Sequence, residues 1–480
     1  MKRNTRGRLT TIIVLAMVLG IGLASNGRAQ IIGPKQPTIP LNPILPSPDT
    51  LVEITAGAFH TCVRKYDGRV YCWGLNGWDK TNTSSGGQIG VGSNSTLIST
   101  TTCKDAPVQN PMHPTIGPSV FRPYVDHPAY VTQLTMFSGQ IVAGDYHTCA
   151  LSAGTASCWG LNFSGQLGDG GQTDRGVPWN VSTSAVFTRL AAGESSTCGL
   201  SQSGIFCWGI MPYNWGVAPY QNPPPPSPAY EVTPFALYAS SGVYNNITVG
   251  NKFTCFVAGQ GWNENDCQGI DSNGQLGIVS TPGTSTAPSW VPRDASGVPY
   301  MYVMYRSQLG VGASGAAQVA SVSAGPDYIC GNIMDGTVQC LGSNAYGKLG
   351  TSGGDRANGM VVVAGATSQL HGVTTGSTHA CALDPAGSAW CWGLGQYGEL
   401  GTAPGWNTMA NFAQQVAGNI KFIALAAGDQ HTCGIGSDNH VYCWGDNEYG
   451  QLGITYNGLG NSNLLVPVTA TGTPQQIASF

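Results

Sequence analysis

The chain has 480 residues, with 20 Lys and Arg against 24 Asp and Glu, 68 glycines and 15 cysteines. Charged residues make up only 9% of it and form no basic run beyond the N-terminus, which argues against nucleic acid or an anionic membrane as partner. No later stretch is long and apolar enough for a transmembrane segment.

In chain order, the first element reads as an export signal over residues 1–29. Lys2, Arg3, Arg6 and Arg8 precede an apolar stretch from Ile12 to Ala24, and Gly27-Arg28-Ala29 offers a small-residue cleavage site before Gln30. Those thirteen residues are too few to span a bilayer, which takes about 20, and no nearby cysteine suggests a lipid anchor. The reading is a secreted, periplasmic or cell-surface protein. Its mature chain keeps fifteen Lys and Arg against 24 acids, a formal charge near −9. Residues 30–50 follow as a Pro-rich linker, with six prolines between Gly33 and Pro48 favouring an extended polyproline-II tether.

Residues 51–480 carry one unit seven times. Each unit runs from a short apolar segment to an anchor glycine, then a cysteine-bearing strand, a Gly/Asp/Asn turn and a second cysteine. The last unit reads A-A-G-D-Q-H-T-C-G-I-G-S-D-N-H-V-Y-C-W-G-D-N-E-Y-G-Q-L-G from Ala426 to Gly453. Anchor glycines fall at Gly57, Gly144, Gly193, Gly250, Gly325, Gly376 and Gly428, so the period is near fifty, with two units greatly swollen and one slightly. Short strands with turn signals and no helical period predict an all-β fold, a seven-bladed β-propeller with long loop insertions. Four-stranded units of this length stack radially because one unit cannot bury its own faces.

The pattern A-G-x-x-H-T-C…C-W-G-x-N-x-x-G-Q-L-G resembles the RCC1 repeat, the unit of the regulator-of-chromosome-condensation propellers. Asn162 to Gly168, Asn273 to Gly277, Asn344 to Gly350 and Asn447 to Gly453 match the family loop. Unit three departs with I-M-P-Y-N-W-G after its Cys-Trp-Gly, and unit four has Cys267-Gln268-Gly269, so these blades are expected to be the least regular. The family's nucleotide-exchange and chromatin roles are not expected to carry over to an acidic, exported chain, because a shared fold does not transfer function.

The cysteines pair as Cys62 with Cys72, Cys149 with Cys158, Cys198 with Cys207, Cys255 with Cys267, Cys330 with Cys340, Cys381 with Cys391, and Cys433 with Cys443. Facing residues of an antiparallel hairpin bring their Cα atoms to about 4.5 Å, within disulfide reach, and export favours oxidation. A zinc site would want Cys-x-x-Cys spacing and converging ligands. Cys103 is left over, as a free thiol or a link to another molecule.

His60, His147, His379 and His431 recur at one position that Ser196, Phe253 and Tyr328 occupy elsewhere, which points to a structural role rather than to catalysis or metal. Trp73, Trp159, Trp208, Trp392 and Trp444 likewise recur with the fold and read as packing residues. Asp271-Ser272-Asn273-Gly274 lacks the terminal glutamate of a calcium loop and coincides with the family loop. No catalytic signature is found, and neither an enzyme activity nor a cofactor or metal is expected.

The information about function lies in three insertions at one slot of the repeat, roughly 93–138, 211–241 and 278–318. They carry the candidate partner-binding aromatics Tyr124, Tyr213, Trp215, Trp290, Tyr300 and Tyr302. The alternative is that these segments pack on the disc as a lid. The reading is an exported interaction scaffold for an extracellular protein or polysaccharide. The competing readings are an inhibitor of a secreted enzyme, implied by similarity to bacterial β-lactamase inhibitors built on this repeat, and a hydrolase or lyase using the central cavity. Finally, the apolar pattern of Leu51–Ala56 recurs near Gln475 to Phe480, predicting that the last strand pairs beside the first to close the ring.

Overall fold

The computed structural model describes residues 46–77, 87–91, 124–134, 139–211, 229–238, 244–258, 265–270, 273–276, 300–306, 319–354, 356–402, 408–447, 449–454 and 475–477. They form seven four-stranded antiparallel sheets, one per repeat, each made of four consecutive strands. Blade one takes Leu51–Ala56, His60–Lys65, Val70–Leu75 and Tyr124–Tyr130. Blade seven takes Phe422–Ala427, His431–Gly436, Val441–Gly445 and Gln475–Gln476. First strands line a central channel, and fourth strands form the rim.

The hairpin register explains the cysteine pairs. Cys62 lies directly opposite Cys72, and Cys433 opposite Cys443, in the pairing of second and third strands. All seven pairs are joined as disulfides within their own hairpins, with Cα–Cα separations of 4.0–4.1 Å. These are the closely spaced positions of an antiparallel ladder, and every one of the fourteen cysteines is fully buried.

Two glycines of the motif have steric reasons. The glycine after Cys-Trp has φ near +100°, as at Gly74 (φ 106°), and a Cβ there would lie 2.4 Å from the Phe59 carbonyl. The anchor glycine lets adjacent blades touch: a Cβ on Gly57 would lie 2.3 Å from the Gly144 carbonyl of blade two.

The hydrophobic core is divided among the seven seams between blades rather than gathered in one place. In each regular unit the Cys-Trp-Gly tryptophan faces the preceding blade. Trp73 packs with Val441, Leu452 and Ile477 of blade seven, and Trp159 with Val70, Ile89 and Val131 of blade one. Alternation along the second and third strands thus supplies one apolar face to each neighbour.

Ring closure differs from the expectation. Gln475–Gln476 pairs with Tyr442 and Cys443, as the outer strand of blade seven, and not beside Leu51–Ala56. The first strand is innermost in blade one and, among the described residues, forms a strand ladder only with its second strand, since a strand on its other side would stand in the channel. The two ends of the array meet instead through side chains. Ile477 shares a cluster with Leu51 and Ile54, the Leu51 N–H donates to Asn439 Oδ1 (2.7 Å), and Asn439 Nδ2 donates to the Asp49 carbonyl (3.2 Å).

The insertions also end differently. Residues 124–130, 229–238 and 300–306, counted above with the insertions, are the fourth strands of blades one, three and four.

Candidate functional site

Three features could serve function: the seam polar chain, the central channel and the insertion slot. The seams come first because they fix the others. His60, His147, His379 and His431 open the second strands of blades one, two, six and seven and are fully buried. Their Nε2 atoms lie 2.8–2.9 Å from Thr148, Thr197, Thr432 and Thr61 of the following blade. Each threonine hydroxyl donates in turn to a loop carbonyl of the histidine's own blade, of Gln88, Gln166, Glu399 or Gln451, at 2.8–3.3 Å. The threonine oxygen therefore accepts from the histidine, which places a proton on Nε2. Burial lowers all four to about 3.

The residues that replace histidine fit the structural role. Phe253 packs its ring edge against Gly250, and the Tyr328 hydroxyl donates to the Gly376 (3.0 Å) and His379 (2.5 Å) carbonyls of blade six. Three of the five repeat tryptophans also donate to loop carbonyls of the preceding blade. Trp73 donates to the Gln451 carbonyl (2.9 Å), Trp392 to that of Lys348 (3.0 Å) and Trp444 to that of Glu399 (2.9 Å).

The channel has a cavity of about 320 Å³ along the propeller axis. Thr and Ser side chains knit its wall: Thr55 accepts the Ala143 N–H, Thr248 that of Ala324, Ser323 that of Thr375, and Thr374 that of Ala427. The residue after each anchor glycine faces this space, and in blades two, three and seven it is Asp145, Glu194 and Asp429. Among the described residues, the lining includes no Lys, Arg or His. Loss of water, then the charges of Glu194 and Asp429, push the Asp145 carboxyl well above the usual range. The sequence reading passed over these acids, although all three stand at one position of the repeat.

At the insertion slot, Tyr124 opens the fourth strand of blade one, and Tyr300 and Tyr302 lie in that of blade four. They are strand residues at the rim, not loop residues. Tyr213, Trp215, Trp290 and Cys103 lie outside the described residues. The structure therefore brings together the cysteines, histidines and tryptophans of the repeat. Among the described residues, no group of three or more His, Cys, Asp or Glu could hold a metal ion, and no helix is long and apolar enough to cross a membrane.

Seven radial sheets around an axial channel define a seven-bladed β-propeller. Models of the regulator of chromosome condensation (RCC1) repeat match residues 51–77 and 422–451, and 386–435 and 438–480. The chain is an RCC1-like seven-bladed propeller with a disulfide in every blade. It is 26% identical over 322 residues to the ultraviolet-B receptor UVR8 of Arabidopsis thaliana, covering 66% of this chain and 67% of that protein. It is 37% identical over 122 residues to the human E3 ubiquitin-protein ligase HERC2, 25% of this chain and only 2% of the ligase. Among solved structures, human WBSCR16 aligns with a TM-score of 0.62 at 18% identity, over 86% of this chain and 94% of that one. Prp20p from Saccharomyces cerevisiae aligns at 0.56 and 16% identity, over 81% and 84%.

Proposed function

We propose that this propeller is an exported, non-catalytic interaction scaffold that binds an extracellular protein or polysaccharide. The observation that carries the reading is the division of labour within the repeat. Cysteines, histidines and tryptophans are buried at hairpins and seams, where they hold the ring together. The units differ most in length at the insertion slot, and also in the channel-facing residue after each anchor glycine. Rigid frames with variable segments at one slot suit partner recognition. One similar solved protein, yeast RCC1 (Prp20p), binds other proteins, with structures that concern its complex with Kap60 and its binding to Gsp1p and histones. Seven buried disulfides support folding in an oxidising compartment, as does the reading of residues 1–29 as an export signal.

The test is binding of the oxidised chain to a glycan array and to proteins of the source's culture fluid. A partner whose affinity falls by about 1 kcal/mol or more when Tyr213, Trp215, Tyr300 and Tyr302 become Ala, with melting unchanged, supports the scaffold. Unchanged affinity with lost stability makes the insertions a structural lid. Turnover of a polysaccharide by the purified chain would overturn the non-catalytic reading.

A further inference from the structure

Glu399 stands where four other units place glutamine: Gln88, Gln166, Gln275 and Gln451, all buried. In three of these, Oε1 accepts the N–H of the residue two earlier, from Ser164 (3.0 Å), Asn273 (2.8 Å) and Tyr449 (2.8 Å). Glu399 keeps that bond, its Oε2 accepting the Tyr397 N–H at 2.7 Å. What a carboxylate lacks is the amide's donor, which Gln451 uses towards Asp446 Oδ2 at 2.9 Å. The Glu399 Oε1 is buried with no hydrogen-bond partner among the described residues.

Among the described residues, no positive charge bears on an ionised form. Asp446 of blade seven is the charged group that bears on it, and it repels. His379 on blade six and His431 on blade seven are the titratable side chains of the two second strands at this seam, and both are neutral. The backbone packs closely as well, since a Cβ at Gly445 would lie 2.8 Å from the His431 Cα and 3.3 Å from the Glu399 Cα. The Glu399 carbonyl is also the seam's node, receiving Thr432 Oγ1 (3.0 Å) and Trp444 Nε1 (2.9 Å) from blade seven. An ionised carboxyl here would be a buried charge without a counter-ion, whereas the protonated acid is uncharged, has the shape of glutamine and keeps its acceptor bond to the Tyr397 N–H.

We propose that the joint between blades six and seven is held by a proton: Glu399 serves as a neutral acid in the place of glutamine, and its ionisation loosens this seam and no other. Burial, reinforced by Asp446, raises the carboxyl to about 8. With a folded value above the ordinary one near 4.5, stability is fully present below about pH 4.5 and is lost as pH rises to about 8. The joint is then a local alkaline switch in an otherwise uniform ring.

Hydrogen exchange of the full chain tests this, comparing peptides of the six–seven seam (396–402 and 441–447) with those of the one–two seam (145–150 and 156–161). The one–two seam has Gln88 in the slot and corrects for the intrinsic pH dependence of exchange. Raising pH from about 6 to about 9 should accelerate the six–seven peptides by roughly tenfold or more relative to the control. Glu399→Gln should abolish the difference and raise the melting temperature at about pH 9 by roughly 2–4 °C. Equal acceleration at both seams, or parallel profiles for wild type and Glu399→Gln, overturns the proposal. If Glu399→Gln fails to fold, the wild-type comparison of seams decides alone.

Discussion

Lys348 Nζ and Asp327 Oδ1 meet at 2.5 Å inside blade five, the lysine fully buried in the slot that glutamine fills elsewhere. Asp327 occupies the position of Phe59 in blade one and Tyr146 in blade two, so both members of the pair depart from the repeat together. Nζ also lies 5.1 Å above the Tyr328 ring. Burial lowers the lysine's affinity for its proton, and Asp327 works against that. Removing one partner leaves the other charge uncompensated. Asp327→Ala should therefore destabilise the chain by about 3–5 kcal/mol in chemical denaturation. The double change Asp327→Tyr with Lys348→Gln, which restores the residues of blade two, should recover most of that loss. A double variant no better than the single one would show that the pair does not act as a unit.

The buried histidines set the acid limit of stability. Each has a folded value of about 3, below the ordinary 6.5, so its contribution is present above about pH 6.5 and is lost as pH falls towards 3. Between these limits each histidine adds about 1.4 kcal/mol per pH unit to the slope. His60→Phe, the residue of blade four, should flatten the acid limb by about one histidine's share while leaving Thr148 bonded to the Gln88 carbonyl. Denaturant midpoints across the acid range are the measurement. An unchanged slope would mean that His60 takes up its proton without opening the seam.

Disulfide burial makes a chemical prediction. Because all fourteen paired cysteines are fully covered, a reductant should reach them only through unfolding. Alkylation with mass mapping under native conditions should spare the seven hairpin bonds, and Cys103 is expected to be the exception. Removing one bond by Cys433→Ala with Cys443→Ala should cost roughly 2–3 kcal/mol, as for a short loop. Rapid native reduction of several bonds would contradict their burial.

The repeat made much of this legible from sequence, and its departures explain what was not. Cysteine pairs sit in one hairpin, so local spacing defines their geometry. The histidine–threonine bonds join residues of different units, such as His60 and Thr148, and periodicity alone does not reveal a contact between copies. Asp145, Glu194 and Asp429 were visible letter by letter, but only the ring makes them neighbours across one channel. The apolar pattern near the C-terminus does not mark an inner strand like Leu51–Ala56: Gln475–Gln476 forms an outer strand and, of the described residues there, Ile477 enters the core.

That arrangement changes what a C-terminal truncation tests. The last strand does not complete the first sheet, so removing it leaves the pairing of Leu51–Ala56 with His60–Lys65 intact. What is lost is the Ile477 contact at the seven–one seam, where it is 4% exposed among Leu51, Trp73 and Val441, together with cover for the third strand of blade seven. Ile477→Ala should then cost about 2–4 kcal/mol through the cavity it leaves. Deleting 474–480 should cost at least as much and expose an edge prone to association. Asn439→Ala separates the two contributions, since it removes the bonds to Leu51 and Asp49 without touching the strand. If closure depends on side chains at the seam, Asn439→Ala and Ile477→Ala should each lower the melting temperature, and light scattering should rise only for the deletion. A deletion that melts like the full chain would show that the six remaining seams and the first three strands of blade seven hold the ring by themselves.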